Sequence, residues 1–205
     1  MGDLHNKLIE RFGQEAIQIV TSPFSSHDYL LIDDKKNSVS ILCSYGLSNY
    51  FMTVPDKLKG RERNELYFAL PSYWEINSLE NERFNWVFYW LDKLTDYVIE
   101  KKSWFGPGHT IPCGSPFKAI SSTMKSNHFL LSDPILFEEE LVPIQTEKGI
   151  VYFLGVIPIF EDEMDYKQGK GTFKLMTKLK NQGITEKLDD FRSTSLKSKW
   201  RLRMC

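Results

Sequence analysis

The sequence predicts one α/β (α+β) domain, a mixed β-sheet packed with helices, and three observations carry that prediction. Short β-rich runs are spread along most of the chain. One long amphipathic helix lies among them. The run Val151–Ile157 is apolar on both faces, as a strand with layers above and below it must be. Strands and helices alternate irregularly, which fits a mixed sheet and not a doubly wound parallel one. With 205 residues, 41% of them hydrophobic, the chain can bury the core of one large domain.

At the start, Leu4, Leu8, Ile9 and Phe12 recur at helical spacing, with Asp3 placed to cap the helix and Gly13 to end it. Tyr29–Asp33 and Val39–Tyr45 read as strands, and the polar Asp34-Lys35-Lys36-Asn37 between them makes a hairpin. Glu65–Leu70 is a third strand, stopped by Pro71. From Phe84 to Lys101, the residues Phe84, Val87, Phe88, Leu91, Leu94 and Val98 form one apolar helical stripe. Trp86, Trp90 and Tyr97 widen it, so this helix should be covered on two sides. Trp104-Phe105-Gly106-Pro107-Gly108 breaks it. Phe129–Leu131, Leu141–Gln145 and Val151–Ile157 are further strands, and Asp162–Asn181 is helical with an interruption near Gly169 and Gly171. Ser193-Thr194-Ser195 has the composition of a linker. After it, Lys197, Lys199, Arg201 and Arg203 alternate with Ser198, Trp200, Leu202 and Met204, a basic tail able to form an extended arm. The expected organisation is a domain over 1–192 and a basic tail over 193–205.

Composition excludes several functions. A net charge of −1 gives no broad basic surface for nucleic acid, and the tail alone is short. Three cysteines, Cys43, Cys113 and Cys205, are odd in number and lack metal-ligand spacing, which points to a reducing compartment. The polar N-terminus is unlike a signal peptide, and the longest apolar run, Ile150–Phe160, is too short to span a bilayer. The expectation is a cytoplasmic protein that neither spans nor rests on a membrane.

The chemistry-bearing segments are few. Gly106-Pro107-Gly108-His109-Thr110-Ile111-Pro112 allows a tight turn that presents His109, either as an acid, base or ligand or as a structural imidazole. No second catalytic partner is evident beside it. Glu161, Asp162, Glu163 and Asp165 could hold a hard cation, but a helix N-terminus complemented by acids is the better reading. Ser44-Tyr45-Gly46-Leu47-Ser48 is not a nucleophile elbow, and no phosphate-binding loop is present. Cys43 reads as core; Cys113, after the Gly/Pro loop, reads as a candidate exposed thiol.

Three segments, taken in order, resemble one family. They are Ser44–Ser48 followed by the Glu65–Pro71 strand and Trp74; the Trp-rich helix followed by Trp104–Pro112; and Val151–Ile157 leading into Pro158-Ile159-Phe160-Glu161-Asp162-Glu163. Together they look like the suppressor-of-fused domain of bacterial proteins, over about Leu42 to Phe173. Cys113 stands where relatives often carry Asn. The resemblance implies a non-enzymatic α/β domain; separately, His5, His27, His109 and His128 are scattered with no zinc-ligand spacing, so no metal and no cofactor is expected. Animal members bind transcription factors of the Hedgehog pathway, whereas many stand-alone bacterial members resemble immunity proteins or antitoxins, one group of them against nuclease toxins with an LXG-type secretion domain. The implied partner is therefore another protein, a cognate toxin. The family-like positions expected to contact it are Trp104, Gly106, Gly108, His109, Thr110, Glu161, Glu163 and Asp165. Two rivals stand beside this reading: a regulatory scaffold that sequesters a different protein, and an enzyme centred on His109. The oligomeric state is left open.

Overall fold

A computed structural model describes residues 3–74, 76 and 81–196. It is a mixed sheet with helices on its faces, as the sequence predicts. Helix α1 (Asp3–Phe12) is followed by strands β1 (Ile17–Thr21), β2 (Asp28–Asp34), β3 (Val39–Ser44) and β4 (Asn64–Pro71). Helix α2 (Glu82–Glu100) leads to β5 (Thr110–Pro112), β6 (His128–Ser132), β7 (Ile144–Thr146) and β8 (Gly149–Ile159), then to α3 (Glu161–Lys170) and α4 (Thr172–Lys180). The strand order is β1-β2-β3-β4-β8-β6-β5, with β7 paired to the start of β8. The first four strands form an antiparallel meander, and β4 then pairs parallel with β8, Asn64 opposite Tyr152.

Central position explains composition. All eight residues of β4 are buried, and β8 is buried from Phe153 to Ile159. The predicted hairpin forms in register from Tyr29–Ser44 to Asp34–Val39. Its turn is organised by the Asp34 carboxylate, which accepts from the Lys36 N–H at 3.0 Å and from Asn37 Nδ2 at 2.6 Å. Gly13 closes α1 by donating its N–H to the Ile9 carbonyl. Asp3 is the first residue of α1 and accepts the Glu147 N–H at 3.0 Å, so it ties the helix to the β7–β8 turn.

Helix α2 lays Phe84, Val87, Phe88, Leu91, Leu94 and Val98 on the sheet. Its second flank is covered by the segment after β5, where Ile120 and Met124 are buried and the Ile120 carbonyl accepts from Trp90 Nε1 at 3.1 Å. A third flank, carrying Tyr89, Lys93 and Tyr97, stays open.

Three elements differ from expectation. Strand β1, an edge strand with half-exposed residues, lacks the apolar run that marks inner strands. The Gly/Pro segment continues into the edge strand β5, where a loop was expected. The Leu141–Gln145 strand is instead Ile144–Thr146, because Leu141 donates its N–H to the Phe137 carbonyl in a turn. The interruption expected near Gly169 and Gly171 in the last helical stretch falls at Gly171, between α3 and α4, with Gly169 inside α3. Of the segment read as a linker, Thr194 and Ser195 are buried. The basic tail over Lys197–Cys205 lies outside the described residues.

Candidate functional site

The Gly106–Gly108 turn delivers the chain into the outermost strand of the sheet. Gly108 sits at φ +87°, in the left-handed region, and a Cβ there would lie 3.2 Å from the Thr172 side chain. A Cβ on Gly106 would come within 2.9 Å of Leu58. The turn is closed by the His109 N–H on the Gly106 carbonyl, and anchored to β6 by the Gly108 N–H on the Leu131 carbonyl at 2.7 Å. The Leu131 N–H returns to the His109 carbonyl at 2.8 Å, and the Cys113 N–H reaches the Asn127 carbonyl at 2.9 Å. By the alternation of an antiparallel ladder, Thr110 and Pro112 then turn their backbone groups outward. Pro112 has no N–H to offer there, which blunts the edge against further strand pairing.

On the α2 side, this turn and strand wall a groove of about 580 Å³. The His109 ring rests on Trp104, with centroids 4.0 Å apart, and Tyr97 stacks on Phe105 at 6.2 Å. Tyr89 meets Trp90 edge-on at 5.5 Å, and Phe24 extends the same surface by meeting Tyr89 at 6.1 Å. Tyr89 and Tyr97 are 42% and 51% exposed, although large aromatic rings with nothing to cover them are costly to leave in water. Lys93 lies over the Tyr89 ring at 5.6 Å. His109 titrates below its ordinary range because burial penalises the imidazolium, with Lys167 and Lys57 adding repulsion. The groove lining contains no carboxylate to orient that imidazole as a base.

The expected contact positions fall into two groups. Trp104, Gly106, Gly108, His109 and Thr110 are together at this turn. Glu161 and Asp165 are exposed on α3, whose Lys167 Nζ donates to Thr110 Oγ1 at 3.1 Å, so α3 flanks the other side of β5. Glu161 accepts from Asn127 Nδ2 at 3.4 Å. Glu163 has a different place: it is fully buried. Its oxygens accept from Arg192 Nη1 at 3.0 Å and Nη2 at 2.8 Å, from the Phe160 N–H at 2.9 Å and from the Ser195 N–H at 2.7 Å. Burial alone would raise its pKa, but the Arg192 guanidinium and these N–H groups hold it below the usual carboxylate range. Glu163 thus caps α3 and straps residues 192–195 to the body, and it offers nothing to a partner.

Other candidates resolve structurally. Glu65 is fully buried and accepts from Ser44 Oγ, and at 3.1 Å from both the Gly46 and Ser48 N–H groups, so it holds the Ser44–Ser48 loop from within. Cys113 is buried, not exposed as the sequence suggested, and burial pushes its thiol up to about 12, the opposite of a reactive thiolate. Among the described residues no group of three or more His, Cys, Asp and Glu is placed to hold a metal, and no helix is long and apolar enough to cross a membrane. Sequence reasoning missed Tyr89, Lys93 and Lys167. The signal for Tyr89, Lys93 and Tyr97 was present: at spacings of four they form a helical row on the rim of the apolar stripe.

Residues 24–193 match the family model for suppressor of fused protein (SUFU). Among solved structures, a SUFU homolog from Neisseria gonorrhoeae FA 1090 superposes with a TM-score of 0.64 at 16% identity, over 96% of this chain and 100% of that one. The Sufu–Fu complex gives 0.62 at 16% identity, over 94% of this chain and 89% of that chain. Drosophila Suppressor of Fused gives 0.64 at 17% identity, over 94% of this chain and only 50% of its own length. At these identities the likeness is one of fold. No curated protein sequence matches the chain.

Proposed function

Because the chain belongs to the suppressor of fused family, we propose that it acts as a non-enzymatic domain that binds another protein across the β5 face. The observation that supports this most is the groove itself. Tyr89, Tyr97, Trp104 and His109 combine ring surface with polar edges, the composition of interface centres; the two tyrosines stand open on α2 and the half-buried Trp104 and His109 line the turn beside them. One of the structures of like fold is a complex of Sufu with another protein, Fu. The finer reading is that of an immunity protein, or antitoxin, that binds and neutralises a cognate toxin, a nuclease being the natural target. It rests on the resemblance to stand-alone bacterial members and on the exposed carboxylates of Glu161 and Asp165, which suit a basic nuclease surface.

The test is co-expression with the product of the adjacent upstream gene. The expected result is a stable complex that suppresses killing and is lost with Trp104→Ala or Tyr97→Ala. A toxin neutralised equally well by both variants would move the binding face elsewhere. A neighbour that is neither toxic nor bound would overturn the antitoxin reading. An activity abolished by His109→Ala in a folded chain would favour an enzyme instead.

A further inference from the structure

We propose that strand β1 is the surface through which two copies of this chain pair, edge to edge, so that the sheet of one runs on into the sheet of the other. The pairing is independent of the β5 face and goes beyond it.

The argument begins with the ladder. Among the described residues β1 pairs with β2 alone, so its other side is an open edge of the sheet. The Ser22 N–H donates to the His27 carbonyl at 2.9 Å, and Thr21 stands opposite Asp28, which together fix the phase of the antiparallel alternation. Gln18 and Val20 exchange their backbone bonds with β2, and the backbone groups of Ile17, Ile19 and Thr21 point away from it. Ile17 spends its N–H on the Gln14 carbonyl. That leaves the Ile17 carbonyl, and both groups of Ile19 and Thr21, open to an extended backbone, the arrangement that strand addition uses.

Sheet edges are ordinarily blunted by proline, by charge or by a covering element. The opposite edge, β5, ends in Pro112. Strand β1, Ile-Gln-Ile-Val-Thr, has neither a proline nor a charged side chain, and Ile19 is 46% exposed. It is also self-complementary. A two-fold axis through Ile19 matches its N–H and C=O to those of its counterpart, and sets the Thr21 N–H of each copy on the Ile17 carbonyl of the other. The two Ile19 side chains then meet, and each Ile17 lies beside a Thr21, β-branched pairs suited to cross-strand contact. An uncharged strand meets its own copy without repulsion, and that self-match makes a second copy the occupant. Because β5 is at the far edge of the sheet, pairing through β1 leaves β5 open in both copies. So short a ladder buries less than the ~1,200 Å² of a durable interface, giving a dissociation constant on the order of 100 μM.

The experiment is sedimentation velocity on the full chain up to about 1 mM, with amide hydrogen exchange measured at both ends of the concentration range. The expected result is a monomer–dimer equilibrium in which the Ile19 and Thr21 amides gain protection as concentration rises, while the Val20 amide, already in the β2 ladder, does not change. Ile19→Lys places two ammonium groups on the axis and should weaken the dimer at least about tenfold, with the melting transition of the parent retained. The exchange measurement needs no variant, so the proposal is testable even if that substitution disturbs folding. A chain that stays monomeric throughout overturns it, as does a dimer in which Ile19 and Thr21 gain no protection. Protection equal at all concentrations and lost on deleting Lys197–Cys205 would give the edge to the chain's own tail, and overturns the second copy as occupant.

Discussion

Two glycine-bearing loops, Ser44–Ser48 and Gly106–Pro112, are both conspicuous in the sequence and turn out to be opposites. In the first, the buried carboxylate organises the turn from within: Glu65 takes the Ser44 hydroxyl and the Gly46 and Ser48 N–H groups, and Ser44 Oγ also accepts the Leu66 N–H at 2.9 Å. In the second, the backbone is pinned to β6, while the His109 imidazole and the neighbouring Trp104 ring line a groove. An unusual motif can therefore mark a demand of the fold or a demand of function, and the discriminator is where its polar and aromatic groups are spent.

That contrast breaks most sharply at Glu65. Glu65→Ala orphans the buried Ser44 hydroxyl and Ser48 N–H, at about 1–3 kcal/mol each, together with the half-buried Gly46 N–H, so urea denaturation should show a large loss of stability, whereas Glu65→Gln, which keeps an acceptor for the two N–H groups, should lose much less. If the alanine variant were as stable as the parent, the first loop would not be a structural device. Next in size is Gly108→Ala, which forces a side chain into left-handed backbone beside Thr172 and should cost about 1–2 kcal/mol by the same assay.

pH sharpens the comparison among buried acids, because their shifts differ in sign. Burial raises Glu65, the bonds from Ser44, Ser48 and Gly46 only partly opposing it, so its contribution is fullest in acid and falls as pH rises from about 4.3 through the raised folded value. Glu163 is depressed, so its contribution is full above about pH 4.3 and is lost as pH falls through the lower folded value. Stability measured across this range should lose its acid-limb decline in Glu163→Gln and its rise toward acid in Glu65→Gln. A flat profile in the parent chain would contradict both assignments. The smallest stability effect belongs to the groove: Lys93→Glu, on an exposed helical position, should stay within about 0.5 kcal/mol of the parent.

Much of the interior was legible because burial on both faces leaves a mark that needs no partner to interpret. Val151–Ile157, the hairpin around Asp34–Asn37 and the stripe of α2 all appear where their patterns put them. Edges were not. Strands β1 and β5 are short and half exposed, so the alternation that marks a strand is diluted. Nor could an acidic run reveal that Glu163 alone turns inward, since its partner Arg192 is remote in sequence and distant pairing leaves no local trace. Within the Gly/Pro loop, the expected cluster Trp104, Gly106, Gly108, His109 and Thr110 is contiguous in space, but the half of the groove supplied by α2 required the fold to align it.

The parallel pairing of β4 with β8 has a consequence for how the chain must be made. On a ribosome the β1–β4 meander emerges long before β8 exists, and its ladders close over short stretches of chain. Until β8 arrives, β4, apolar and destined to be buried throughout, is an unsatisfied margin able to recruit another nascent chain. The interval between those two moments of synthesis is when this protein is most exposed to aggregation, and slowed translation after Pro71 should lower its soluble yield more than slowed translation after Ile159.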